Sequence, residues 1–116
     1  MKVNRIVANI NTSDLALAKE FYVDILGMTE RMNHGWIITY GSDEKMNVQI
    51  SFAREGGSGT ATPDLSIEVD HVDEAYAAMK NAGYEIVYPI TDEPWGVRRF
   101  FVLDPFKKVV NILSHS

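Results

Sequence analysis

One stretch of the chain is a rewritten copy of another. S-D-L-A-L-A-K-E-F-Y-V-D-I-L-G-M (13–28) is echoed by V-D-H-V-D-E-A-Y-A-A-M-K-N-A-G-Y (69–84), with Asp14 aligned to Asp70 and Gly27 to Gly83 at the same offset. Each copy carries the marks of one helix. An Asp near the start can accept from free backbone N–H groups, and a Gly just past the end tolerates the left-handed cap. Apolar residues recur at helical spacing between these signals: Leu15, Ala18, Tyr22 and Ile25, with Phe21 and Leu26 beside them, then Val72, Ala75, Tyr76, Met79 and Ala82. Both stripes read as core faces.

Strand-like runs flank each helix in the same order. V-N-R-I-V-A-N-I (3–10) and D-L-S-I-E-V (64–69) precede the helices. After the first come residues 28–32, W-I-I-T-Y and M-N-V-Q-I-S-F; after the second come Y-E-I-V-Y, G-V-R-R-F-F-V-L and K-V-V-N-I-L. The pattern predicts an α+β chain built from two βαβββ modules, about 1–53 and 64–116, within one domain of 116 residues. R-E-G-G-S-G-T-A-T-P (54–63) joins them and reads as a flexible linker. A module of this size buries too little area alone, so the two are expected to pair, within one chain or between two.

Composition narrows the chemistry. Cysteine is absent, which excludes disulfides, thiol nucleophiles and thiolate metal sites and leaves only His or oxygen ligands for a metal. With 11 Lys and Arg against 16 Asp and Glu, the net charge of −5 disfavours phosphate backbones and anionic lipid, so neither nucleic acid nor membrane is an expected partner. M-K-V-N-R-I-V lacks the apolar run of a signal peptide and no run is long enough to span a bilayer, which predicts a cytoplasmic location. There is no G-x-S-x-G elbow, P-loop or dinucleotide fingerprint.

Two strands have polar faces that water alone does not explain. M-N-V-Q-I-S-F places Asn47, Gln49 and Ser51 opposite Met46, Val48, Ile50 and Phe52, and the amides can both donate and accept. D-L-S-I-E-V places Asp64, Ser66 and Glu68 opposite Leu65, Ile67 and Val69. With helices over the apolar faces, the polar ones line a cavity. The same phase turns Arg5, Val7 and Asn9 inward on the first strand and Val109, Asn111 and Leu113 on the last.

The repeat, the linker, D-L-A-L-A-K-E-F-Y-V-D-I-L-G-M and the late P-W-G-V-R-R-F-F-V-L-D-P together resemble the vicinal oxygen chelate superfamily, which includes glyoxalase I, extradiol dioxygenases and bleomycin resistance proteins. The resemblance covers nearly the whole chain. It implies two βαβββ modules with curved mixed sheets forming a shared cleft, commonly in a homodimer. It also implies that enzymes of this kind hold one divalent ion through His or Glu on the first and fourth strands of the modules. Those positions match Val7, Gln49, Asp64 and Asn111 here, an aliphatic group, two neutral amides and one carboxylate. Such a set compensates a divalent ion poorly, and no metal or other cofactor is expected.

Other residues complete the candidate set. Trp36 and Trp95 are candidate pocket walls, and the bleomycin resistance members carry a similar P-W-G at Trp95. Arg98 and Arg99 are adjacent on a strand, so at most one enters the cleft, and a surface position is the base expectation for each. His34, His71 and His115 read as surface residues. D-P-F-K-K (104–108) departs from the Gly usual in this hairpin, which bears on the register of the last strand. The expected function is metal-independent capture of a small organic ligand by a homodimer, through Asn9, Trp36, Gln49, Asp64, Glu68, Trp95 and Asn111. The alternative is a divalent-metal-dependent lyase, isomerase or dioxygenase with relocated ligands. Metal-free acid/base catalysis by Asp64 or Glu68 is a third reading.

Overall fold

The computed structural model describes residues 7–45 and 51–115. The second half forms a complete βαβββ unit: β3 (Leu65–Glu68), α1 (Val72–Asn81), β4 (Ile86–Asp92), β5 (Val97–Leu103) and β6 (Val109–His115). Its sheet has the order β3-β6-β5-β4, with β3 and β6 parallel and the other pairs antiparallel. A crossover through α1 is what allows the parallel pair. Pro89 lies in β4, an edge strand, where the missing N–H costs no ladder bond, and the β4–β5 register shifts around it.

The first half contributes a helical segment and an antiparallel hairpin of β1 (Thr29–Asn33) and β2 (Ile38–Gly41). No strand forms over residues 7–10 or 51–52; the rest of the expected strands 3–10 and 46–52 lies outside the described residues.

Both glycine stops end their helices. Gly83, at φ +85°, closes α1 with Tyr84 N–H donating to Met79 C=O and Gly83 N–H to Lys80 C=O, the paired bonds of a left-handed C-terminal cap. Gly27, at φ +75°, closes the first segment through wider bonds, from Met28 N–H to Tyr22 C=O and from Gly27 N–H to Val23 C=O. That segment is not the regular helix expected. It is a 3₁₀ turn (Leu15–Leu17) followed by a π-type turn (Lys19–Ile25), with Leu26 N–H reaching Phe21 C=O. The wide turn buries two successive rings, Phe21 fully and Tyr22 nearly so. Asp14 caps the start by accepting from Ala16 N–H at 3.2 Å. Asp70 does not do the same for α1, whose cap position is His71 without a side-chain bond; Asp73 and Glu74 supply the negative charge in the first turn instead.

One core unites the halves. Val72, Ala75 and Met79 of α1 pack with Phe100, Val102, Val110 and Ile112 of the sheet and with Phe21 and Tyr22 of the first segment. Ala82, expected in this stripe, is exposed. Each large side chain taken fully from water contributes about 1.5–3 kcal/mol. The alternation read from sequence is present on β3, where Leu65, Ile67 and Val69 pack against the core and Asp64, Ser66 and Glu68 are exposed.

Candidate functional site

Register defines the sheet face opposite α1. Ser66 pairs with Asn111, Asn111 with Phe101, and Phe101 with Tyr88, so these four form one row across all four strands. Glu68, Leu113, Arg99 and Thr91 form the next. Asn111 is 7% exposed; its Nδ2 donates to Ser66 Oγ at 3.1 Å, and its buried Oδ1 has no partner among the described residues. A buried carboxamide oxygen left so is unusual in a folded protein and calls for a donor.

Beside Asn111 the face is covered by an arrangement the sequence did not reveal. Arg99, expected at the surface, is 5% exposed. Its guanidinium meets the Glu93 carboxylate at 2.6 Å and sits under three rings, with centroids 4.8 Å away for Phe101, 5.1 Å for Trp95 and 5.4 Å for Tyr88. Glu93 also accepts from Ser58 Oγ at 3.0 Å and from the Tyr88 hydroxyl at 3.3 Å. Burial of a charge pair of this kind requires such complete compensation. Glu93 stands before the P-W-G turn and Arg99 after it, and Glu93 N–H donates to Val97 C=O to close that turn. Alternation on β5 signals that Arg99 and Phe101 share a face, which cross-strand pairing extends to Asn111 of β6; nothing local signals Glu93.

Arg98 points the other way, as adjacent strand residues must, and bonds Asp73 of α1 at 2.8 Å and Asp92 of β4 at 3.0 Å. The guanidinium beside Asp73 holds that carboxyl below its ordinary range.

The remaining candidates are placed as follows. The exposed Asp64 accepts from Val109 N–H at 2.8 Å, tying the start of β3 to the start of β6. Glu68 faces His115, 3.2 Å away. Trp95 is 51% exposed over Arg99. Trp36 lies between β1 and β2 and is 77% exposed. Asn9 is exposed in an irregular segment and donates to Val7 C=O at 3.4 Å; Val7 is 45% exposed. Arg5 and Gln49 lie outside the described residues. The structure thus gathers Glu68, Trp95 and Asn111 onto or beside one face, with Asp64 at its edge. A hollow of about 470 Å³ lies elsewhere, at the start of α1 between Asp73, Glu74, Arg98 and His115, and none of the candidates lines it.

The sequence of residues 2–112 matches the profile of the Glyoxalase/Bleomycin resistance protein/Dioxygenase superfamily. The chain belongs to this superfamily. No curated protein sequence matches it. Several superfamily-like structures share its α+β fold. TnmS3, an antibiotic binding protein from Streptomyces sp. CB03234, is 21% identical over 100% of this chain and 97% of its own, with a TM-score of 0.68. A superfamily member from Sphaerobacter thermophilus DSM 20745 is 21% identical over 99% and 98% of the two chains, with a TM-score of 0.66. TioX from Micromonospora sp. ML1 is 20% identical over 96% and 95%, with a TM-score of 0.64.

The positions that the resemblance assigns to a divalent ion suit one poorly where the structure describes them. Val7 has no donor, Asn111 is a neutral amide, and Asp64 already holds a backbone N–H. Among the described residues no three His, Asp or Glu side chains converge. Among them, too, no helix is long and apolar enough to cross a membrane.

Proposed function

We propose that this superfamily member is a metal-independent small-molecule-binding protein that sequesters a drug or metabolite in the cytoplasm. In this reading two βαβββ modules, about 1–53 and 64–116, close a shared cleft in a homodimer, with residues 54–63 linking them. The ligand lies against the row of Ser66, Asn111 and Phe101, beside Trp95 and Glu68, with Gln49, Asn9 and Trp36 as further walls. The single observation that carries the reading is the buried Asn111 amide, a neutral hydrogen-bonding group whose oxygen has no partner among the described residues, on a face of mixed polar and aromatic side chains. Sequestration needs complementary contacts and no reacting group. Asp64 and Glu68 are exposed rather than enclosed, which gives no support to a proton-transfer role.

Antibiotic binding by the distantly similar TnmS3 is in keeping with this reading. The test is a thermal-shift screen of antibiotics and aromatic metabolites, run in parallel with chelator and with added divalent ions. A compound that raises the melting temperature of the parent protein should fail to do so with Asn111→Leu, which keeps the branched shape of the side chain and removes the amide. Hits that require a divalent ion, or that survive Asn111→Leu unchanged, would contradict the proposal.

A further inference from the structure

The segment between the modules is drawn down onto the covered part of this face. Residues 56–60 form a tight turn, with Gly56 N–H donating to Thr60 C=O at 2.8 Å and Thr60 N–H to Gly57 C=O at 3.0 Å. Three successive residues are left-handed: Gly57 at φ +85°, Ser58 at φ +50° and Gly59 at φ +77°. For Ser58 this backbone is unfavourable, and its hydroxyl bond to Glu93 is what compensates it. Gly57 C=O also accepts from Arg99 Nη2 at 3.3 Å. A β-carbon at Gly57 would lie 2.8 Å from Trp95 Cη2, so the turn rests on the edge of the indole.

We propose that residues 56–60 are a strap over the ligand face, latched by Ser58 on Glu93 and by Gly57 on Arg99 and Trp95. Its release uncovers the remaining covered edge of the Trp95 indole and the Arg99–Glu93 pair. Its contacts to the described residues are polar or at a ring edge, so it opens locally without disturbing the β5–β6 ladder beneath. As a gate to the ligand, the strap rests on the proposed binding face; as a unit that opens independently of the core, it does not.

Amide hydrogen exchange on the intact chain tests it without any ligand. Ser58→Ala removes one latch bond and should speed exchange at the Gly56 and Thr60 amides roughly two- to tenfold, leaving the β5 and β6 amides unchanged. A second measurement uses Trp36→Phe, which leaves Trp95 as the sole tryptophan. Gly57→Ala and Gly59→Ala both strain a left-handed residue, but a β-carbon at Gly59 meets nothing within 4 Å. Only Gly57→Ala should therefore increase acrylamide quenching of Trp95. Unchanged exchange at Gly56 and Thr60, acceleration shared by the β5–β6 ladder, or equal quenching in the two glycine variants would overturn the proposal. A strap that opens as described in a protein that captures no compound would instead count against the binding face.

Discussion

Tyr22 donates its phenolic hydrogen to Asp104 Oδ2 at 2.8 Å, joining the first helical segment to the last hairpin across 82 positions of sequence. Asp104 is 4% exposed, and its other oxygen accepts from Phe106 N–H at 2.8 Å and Lys108 N–H at 2.9 Å. One carboxylate therefore builds the turn and anchors the helix. Burial, then the bond to Asp104, pushes the Tyr22 phenol far above its ordinary value, so it remains a donor at any ordinary pH. Tyr22→Phe leaves Asp104 Oδ2 without that donor and should cost about 1–3 kcal/mol in urea unfolding, with little change in far-ultraviolet dichroism.

The hairpin also contains an avoidable strain. Lys107 sits at φ +62°, in the left-handed region that favours glycine. The turn tolerates it, and β6 keeps Asn111 opposite Phe101. A side chain there costs roughly 1 kcal/mol, so Lys107→Gly should raise the urea midpoint and leave the β5–β6 nuclear Overhauser contacts in place.

Arg99 and Glu93 behave as a unit. Their side chains are 6% and 2% exposed, so removing either partner strands a buried charge. Arg99→Met or Glu93→Leu alone should cost about 3–5 kcal/mol, while the two together should recover much of the loss. A double-mutant cycle in chemical denaturation measures the coupling.

Two groups should titrate away from their ordinary positions. Asp73 is lowered chiefly by its hydrogen bond to Arg98. Its contribution to stability is therefore present above the ordinary aspartate range and lost as pH falls through the depressed folded value. Carbon-detected titration should place Asp73 below its ordinary 3.8, and Arg98→Met should return it there. Tyr84 moves the other way, pushed up to about 12 by burial and by its bond to Glu20. Glu20→Gln should lower its ultraviolet titration midpoint.

What was legible in the sequence follows from the range of the interactions that fix it. Gly27 and Gly83 mark their helix ends because a left-handed cap is a local demand. Strand alternation gave the two faces of β3 and the opposite directions of Arg98 and Arg99. The π-type turn at Phe21 and Tyr22 was not legible, because it answers to the core and to Asp104 rather than to local propensity. The docking of residues 56–60 was hidden for the same reason. Their Gly and Ser content reads as a flexible tether, whereas Glu93, Arg99 and Trp95, far along the chain, hold them in the fold. Alternation and resemblance together turn Asn111 inward, whereas its burial and its oxygen without a partner among the described residues are visible only in the fold.

The central claim is that this member of a superfamily with metal enzymes binds without a metal, and metal analysis tests it most directly. Purified protein should contain no stoichiometric zinc, iron, manganese or nickel by elemental analysis, and calorimetric titration with each divalent ion should give no saturable heat. One tightly held ion per chain, lost with substitution of Asp64 or Asn111, would contradict the account.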